Sequence, residues 1–303
     1  MILCLGLTPA LQRTLIFREL QLNEVNRAGQ VLTSAAGKSL NTARALAALG
    51  VKCRTAGFNG GHNGELIKGF LKEYGVDSAL TAMAAETRIC TTLIDEADGT
   101  VTELVEEAPQ PTKQEIAEFM ERNTALVKGC RMLVICGTLP PWAGEDFYRH
   151  FTIAAREAQI PVVIDSHRGA LLAVLQDRPA MVKLNLRELE ITFNERITSE
   201  PQLVGLMGQL IAGGAGSVFL TQGKNPSFLL EGRICSRHLP PQIREHRNPI
   251  GSGDCTTAGI VCALISGSTL PEAVKLGLAC GSANVESLLP AEITRERVQE
   301  LLG

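Results

Sequence analysis

Arg131-Met132-Leu133-Val134-Ile135-Cys136 is a short apolar run closed by Gly137, and residues 145–158 after it carry helical spacing. A run this short, bounded by a turn residue, fits a strand buried on both faces. The same alternation then repeats. Pro161-Val162-Val163-Ile164-Asp165 predicts a second buried strand, with a helix near 169–176. Met181-Val182-Lys183-Leu184 predicts a third, with a helix from about 186. Residues 202–212 read as helix and Ser217-Val218-Phe219-Leu220-Thr221 as a fourth strand. Strands alternating with helices over short connections make an α/β fold with a doubly wound, mostly parallel sheet. Met1-Ile2-Leu3-Cys4-Leu5-Gly6-Leu7 lacks a charged leader and reads as a first core strand rather than a signal peptide.

The region before residue 130 differs. Stretches within 11–33 and 88–108 carry shorter β-like segments with polar interruptions. Ile89-Cys90-Thr91-Thr92-Leu93-Ile94-Asp95 leads into Asp98-Gly99, a hairpin turn pair, and then Thr100-Val101-Thr102-Glu103-Leu104. These strands are expected to form a small separate sheet. No Pro/Gly linker divides the chain, so residues 1–303 are read as one domain. Toward the C-terminus one helix is expected from Asp254 to Gly267. Another, with Pro271 in its first turn, is expected to run toward Leu288-Leu289.

Composition excludes several classes of function. Hydrophobic residues make up 45% and aromatics 4%, with Trp142 the single tryptophan, so the core is aliphatic. The formal net charge is −3 and no basic tract is present, which argues against a nucleic-acid partner. No apolar run reaches the length of a membrane span. Nine cysteines are scattered without a CxxC pair, and no His sits at zinc-ligand spacing. They read as reduced, buried thiols of a cytoplasmic protein.

Two segments carry candidate chemistry. In Asn248-Pro249-Ile250-Gly251-Ser252-Gly253-Asp254, small residues lead into a helix start. Unpaired N–H groups and the helix dipole there favour an anion, including a phosphate in transfer. Asp254, in the first turn, is placed to take a proton from an attacking hydroxyl. Taken alone, the same residues also describe a plain turn with Asp254 as N-cap. Ala36-Gly37-Lys38-Ser39-Leu40-Asn41 opens a second helix, with Gly50 as its expected stop. Lys38 could meet a phosphate and Asn41 a polyol, or the segment could be a capped surface helix. The Walker A spacing is absent.

Gly251 to Gly259 resembles the C-terminal signature of the ribokinase-like PfkB carbohydrate kinases, and Gly37-Lys38-Ser39-Leu40-Asn41 resembles their N-terminal one. Further likenesses follow in family order: Leu7 to Thr14, Gly57-Phe58-Asn59-Gly60-Gly61, Thr87-Arg88-Ile89, Gly137-Thr138-Leu139-Pro140-Pro141, Asn185-Leu186-Arg187-Glu188 and Thr221-Gln222-Gly223. Agreement of several motifs in order is stronger than any one.

The resemblance implies an ATP- and Mg²⁺-dependent kinase acting on a small sugar or sugar phosphate. It implies a ribokinase-like fold whose β lid also makes a homodimer. Asp254 would be the base, with backbone N–H groups of Gly251, Ser252 and Gly253 stabilising the phosphoryl group. Asn185 and Glu188 would orient Mg²⁺-bound water, with helix capping as their ordinary alternative. Lys183, Asn185, Thr221, Gly223 and Asn284 would lie on the nucleotide side. Gln12, Gly37, Lys38, Asn41, Arg88 and Gly137 would line the substrate side. The branch is similar to 1-phosphofructokinases and tagatose-6-phosphate kinases, in which Lys38 and Arg88 would hold the phosphate already on the sugar. Thr8, Gln12, Ala36 and Ser39 depart from the family pattern, all on the substrate side. Alternatives are a kinase of an unphosphorylated sugar or nucleoside-like alcohol, or a binding protein without turnover.

Overall fold

The computed structural model describes residues 1–303. In the N-terminal third, β1 (Ile2–Leu5), β2 (Ala10–Phe17) and β3 (Gln30–Ala36) precede α1 (Lys38–Ala48). Then come β4 (Cys53–Ala56), β5 (Phe58–Asn59), α2 (Gly61–Glu73), β6 (Asp77–Ser78), β7 (Thr81–Ala82), β8 (Ile89–Asp95) and β9 (Thr100–Val105). The middle holds α3 (Lys113–Lys128), β10 (Met132–Cys136), α4 (Arg149–Glu157), β11 (Val162–Asp165), α5 (Arg168–Val174) and β12 (Met181–Asn185). The rest is α6 (Leu186–Phe193), α7 (Glu200–Gly213), β13 (Ser217–Gln222), β14 (Asn225–Glu231), β15 (Ile234–His238), α8 (Ser252–Ile265), α9 (Leu270–Val285) and α10 (Arg295–Leu302).

The expected parallel sheet is present, with nine strands in the order β15-β14-β13-β12-β11-β10-β1-β4-β6. Strands β6 through β13 run parallel, and β14 and β15 add an antiparallel edge absent from the sequence reading. Side chains on successive strand residues point to opposite faces. Cys4, Val134, Cys136, Val163, Met181 and Phe219 therefore join one core beneath α1, α8 and α9. Leu5, Leu133, Ile135, Ile164, Val182 and Leu220 join the other, beneath α3, α4, α5 and α7. Chain order reverses between β1 and β10, the position where open α/β sheets place ligands at the carboxyl ends of their strands.

A separate four-stranded sheet, β3-β2-β8-β9, forms where the short strands were expected. Its base is anchored by Leu11 and Ala35, which enter the core with Ile67 and Leu71 of α2. The turn of the β8–β9 hairpin carries Gly99 at φ 63°.

Two boundaries shift. Helix α8 begins at Ser252 rather than Asp254, because Gly251 adopts φ 85° as N-cap and turns the chain earlier. Helix α9 stops at Val285, short of Leu288.

Candidate active site

Two strand ends and three helix starts converge on one end of the main sheet. Asp165 closes β11, Lys183 and Asn185 close β12, and the first turns of α1, α6 and α8 supply Lys38 with Asn41, Glu188, and Asp254. Strand alternation explains the convergence. Asp165 lies two residues past Val163 and Lys183 two past Met181, both on the face covered by α8.

The charges interlock. The ammonium of Lys38 donates to Asp165 Oδ1 at 2.8 Å and to Glu188 Oε1 at 2.9 Å. Lys183, 1% exposed, donates to Asp165 Oδ2 at 3.1 Å, and the Thr257 hydroxyl donates to the same oxygen at 2.6 Å. Burial opposes ionisation of Asp165, but Lys183 and Lys38 outweigh it and hold its carboxyl below the usual carboxylate range. Glu188 is likewise lowered: burial works against it and Lys38 overrides that.

Asp254 behaves oppositely. It is buried, and desolvation pushes its pKa up to about 7. The nearby ammonium of Lys38 and a hydrogen bond from Asn41 Nδ2 to its Oδ2, at 2.7 Å, pull the other way without cancelling that rise. Two carboxylates in one site thus take different protonation behaviour from their surroundings, the arrangement that separates a proton acceptor from a fixed charge.

The turn before α8 is braced from α9. Asn284 is fully buried; its Nδ2 donates to Ile250 O at 2.9 Å and Ser252 Oγ at 3.0 Å, and its Oδ1 accepts from Ala291 N at 2.6 Å. Every polar atom of Asn284 is bonded within the protein, so this side chain, expected on the nucleotide side, holds the turn before α8. The Ser252 N–H donates to Pro249 O at 3.1 Å, which removes it from the expected anion donors. The N–H groups of Gly253 and Asp254, at the second and third helical positions, have no backbone acceptor. A Cβ on Gly253 would lie 2.7 Å from Lys183 Nζ, so that buried ammonium sits directly against the turn.

The remaining expected residues are distributed as follows. Asn185 and Glu188 form a full capping box on α6, Asn185 Oδ1 accepting from Glu188 N and Glu188 Oε2 accepting from Asn185 N. Capping and site chemistry are combined here, because the other Glu188 oxygen faces Lys38. Thr221 pairs in register with Asn185 one strand further out, and Gly223 turns the β13–β14 hairpin at φ 58°. Gly37 and Gly137, at φ 110° and 97°, border the strand ends; Gly137 N donates to Asp165 O.

On the small sheet, Gln12 is buried and its Nε2 donates to Thr92 Oγ1 at 2.7 Å. Arg88 donates to Thr8 O at 3.0 Å and Glu106 O at 2.9 Å, with its Nε buried and unpartnered. The Lys38 ammonium, expected with Arg88 to hold a substrate phosphate, is engaged by two carboxylates, while Arg88 binds the carbonyls of Thr8 and Glu106. The engagement is electrostatic, since Asp165 and Glu188 together present two negative charges to one half-buried cation.

Sequence reading missed Asp165 and Thr257. A signal for Asp165 was present, an acidic residue closing the buried strand Pro161–Ile164, where a charge needs a partner. Thr257 carried none; its role depends on α8 lying across β11.

Comparison with solved structures agrees with this architecture. Phosphofructokinase-2 from Escherichia coli, solved in complex with fructose-6-phosphate, is 24% identical with a TM-score of 0.88, covering 100% of this chain and 97% of that one. A structure from Thermotoga maritima described as a possible 1-phosphofructokinase is 23% identical with a TM-score of 0.91, at 100% and 97% coverage. These likenesses establish the fold. The sequence model of the pfkB family of carbohydrate kinases matches residues 1–296, so the chain belongs to that family of ATP-dependent sugar kinases.

Proposed function

We propose that this kinase transfers the γ-phosphoryl group of ATP to a hydroxyl of a ketohexose phosphate. The observation that carries the reading is the buried Asp254 carboxylate, with a pKa near 7, standing at the first turn of α8 beside the free N–H groups of Gly253 and Asp254. A general base works best when its pKa lies near the working pH. Asp254 takes the proton of the attacking hydroxyl as the oxygen bonds to phosphorus. The two N–H groups, the α8 dipole and the Lys183 ammonium face the charge that spreads over the phosphoryl oxygens. Asn41 orients the base through its amide, and its buried Oδ1, which has no partner in the protein, is an acceptor for a sugar hydroxyl.

The donor set suits Mg²⁺ held through water. Glu188 has one oxygen on Asn185 N and the other on Lys38, so direct ligation would displace the Lys38 ammonium. Mg²⁺ keeps several waters and needs few protein ligands beside the phosphates. When bound, Mg²⁺ neutralises charge on the nucleotide phosphates; Asn185 and Glu188 would hold its water shell.

In this reading Arg88 takes the phosphate on the sugar, supported by its buried, unpartnered Nε. Its guanidinium binds the carbonyl of Thr8, and that carbonyl lies 2.9 Å from where a Cβ of Gly37 would stand. The engagement of Lys38 favours one second reading, an unphosphorylated sugar, since it leaves Arg88 alone for a substrate phosphate. A homodimer through the β lid is part of the first reading; Leu104 and Val105 of β9 and Val31 of β3 are exposed there.

The test is an ATP-consumption screen over fructose 1-phosphate, fructose 6-phosphate, tagatose 6-phosphate and free hexoses, with wild type and Arg88→Ala. Ketohexose phosphates should be turned over, and Arg88→Ala should raise their KM by about 10- to 100-fold through loss of charge-assisted bonds. Equal losses on free and phosphorylated sugars would remove the phosphate from the reading.

A further inference from the structure

At the opposite end of β11 and β12 from Asp165 and Lys183, the chain leaves a cleft of about 570 Å³, within the range of small-molecule sites. Its floor is apolar, formed by Ile160, Pro161, Val162 and Ala180, and its rim carries Arg156, Gln159 and Arg178. The charges here do not balance. Asp177 is buried and accepts from Arg156 Nη1 at 2.9 Å and from the Thr152 hydroxyl at 2.8 Å, with Arg149 Nε 3.6 Å away. Arg178 has no carboxylate partner. The lining thus sets two arginines, Arg156 and Arg178, against one aspartate, a surplus of one positive charge around a partly apolar cleft, with Arg149 beside Asp177.

Backbone geometry adds a second observation. Gln159, in the turn after α4, and Arg178, in the turn before β12, both adopt φ 57°. Gln159 N closes that turn on Arg156 O and Ile160 N on Ala155 O, the place where glycine is the ordinary choice. Both loops accept the cost of a long side chain in the left-handed region, and both side chains line the cleft. We propose that this cleft is a second anion site, taking a phosphate monoester with a small apolar body: the dianion meets Arg156, Arg178 and the Gln159 amide, and the apolar body lies on Ile160, Pro161 and Val162.

The inference is independent of which sugar the kinase phosphorylates. It is tested on the full chain by calorimetric titration with phenyl phosphate, with the catalytic site filled by a non-hydrolysable ATP analogue and a saturating sugar. One binding event should survive that block. Arg178→Gln keeps length and backbone conformation but removes the charge; it should weaken this event about tenfold while sugar-kinase kcat is unchanged. Gln159→Gly should weaken it too, yet raise Tm, because glycine relieves the left-handed turn. Loss of all phenyl phosphate binding on filling the catalytic site overturns the proposal. So does an unchanged affinity in Arg178→Gln, or in a Gln159→Gly protein whose Tm has risen.

Discussion

Asn41→Ala perturbs the proton acceptor without touching its carboxyl. Asn41 Nδ2 lies 2.7 Å from Asp254 Oδ2, and each residue is 5% exposed, so solvent screening is slight. A hydrogen bond to a charged group contributes about 1.5–3 kcal/mol, and a pKa change of one corresponds to about 1.4 kcal/mol. Removing the donor should therefore raise the Asp254 pKa by about one to two from its value of about 7. A base acts only when unprotonated. The acid limb of kcat/KM should move to higher pH by that amount, cutting activity near neutrality by roughly 10- to 100-fold and restoring much of it in alkali. Stability should move with it. The native carboxyl with its raised pKa holds a proton that the unfolded chain has released, so stability falls as pH rises from the unfolded value through about 7. In the variant that decline should continue to higher pH. The assay is kcat/KM for the best sugar across about pH 5.5 to 10, with urea denaturation at the same pH values. A uniform loss of rate with an unmoved limb would mean that Asn41 does not tune Asp254, and the assignment of the base would fail with it.

Three further outcomes are expected. Asp254→Asn should retain nucleotide binding, lower kcat by about 10²–10⁴ and abolish the acid limb; an unchanged kcat takes the base role from Asp254. Gly253→Ala places a Cβ 2.7 Å from Lys183 Nζ, which cannot retreat to water because it is buried and bound to Asp165. Single-turnover rates should fall about 10- to 100-fold, and wild-type rates would show that the turn and ammonium do not act together. Asn284→Ala strands Ile250 O, Ser252 Oγ and Ala291 N and should cost about 2–5 kcal/mol in urea denaturation with a fall in kcat; a loss under about 0.5 kcal/mol would rule out the brace.

Much of this was legible in the chain itself. The runs at 131–136, 161–165, 181–184 and 217–221 are too short and too apolar for anything but strands buried on both faces, and each appears in the sheet. Period and burial are local properties, so they survive without coordinates. The anion turn was legible for the same reason: small residues before a helix start expose N–H groups wherever the helix lies. The antiparallel edge of β14 and β15 was not, since Gly223 and Gly232 mark turns but do not say which strand returns beside which.

What the amino-acid order could not decide is the partner of each charge. Lys38 read as a substrate clamp because a Gly-Lys pair at a helix start is open to a phosphate. Folding sets it between Asp165 and Glu188, residues 127 and 150 positions away, and a half-buried cation takes the nearest buried anions. Asn284 read as a nucleotide contact, yet packing of α9 on α8 turns its amide onto the loop at 250–252. The sequence alone determined that a carboxyl at Asp254 stands in the first turn of a helix led in by small residues. Tertiary structure decided that it is buried, bonded to Asn41 and poised near neutrality, because desolvation and pairing depend on what crosses the site from distant parts of the chain.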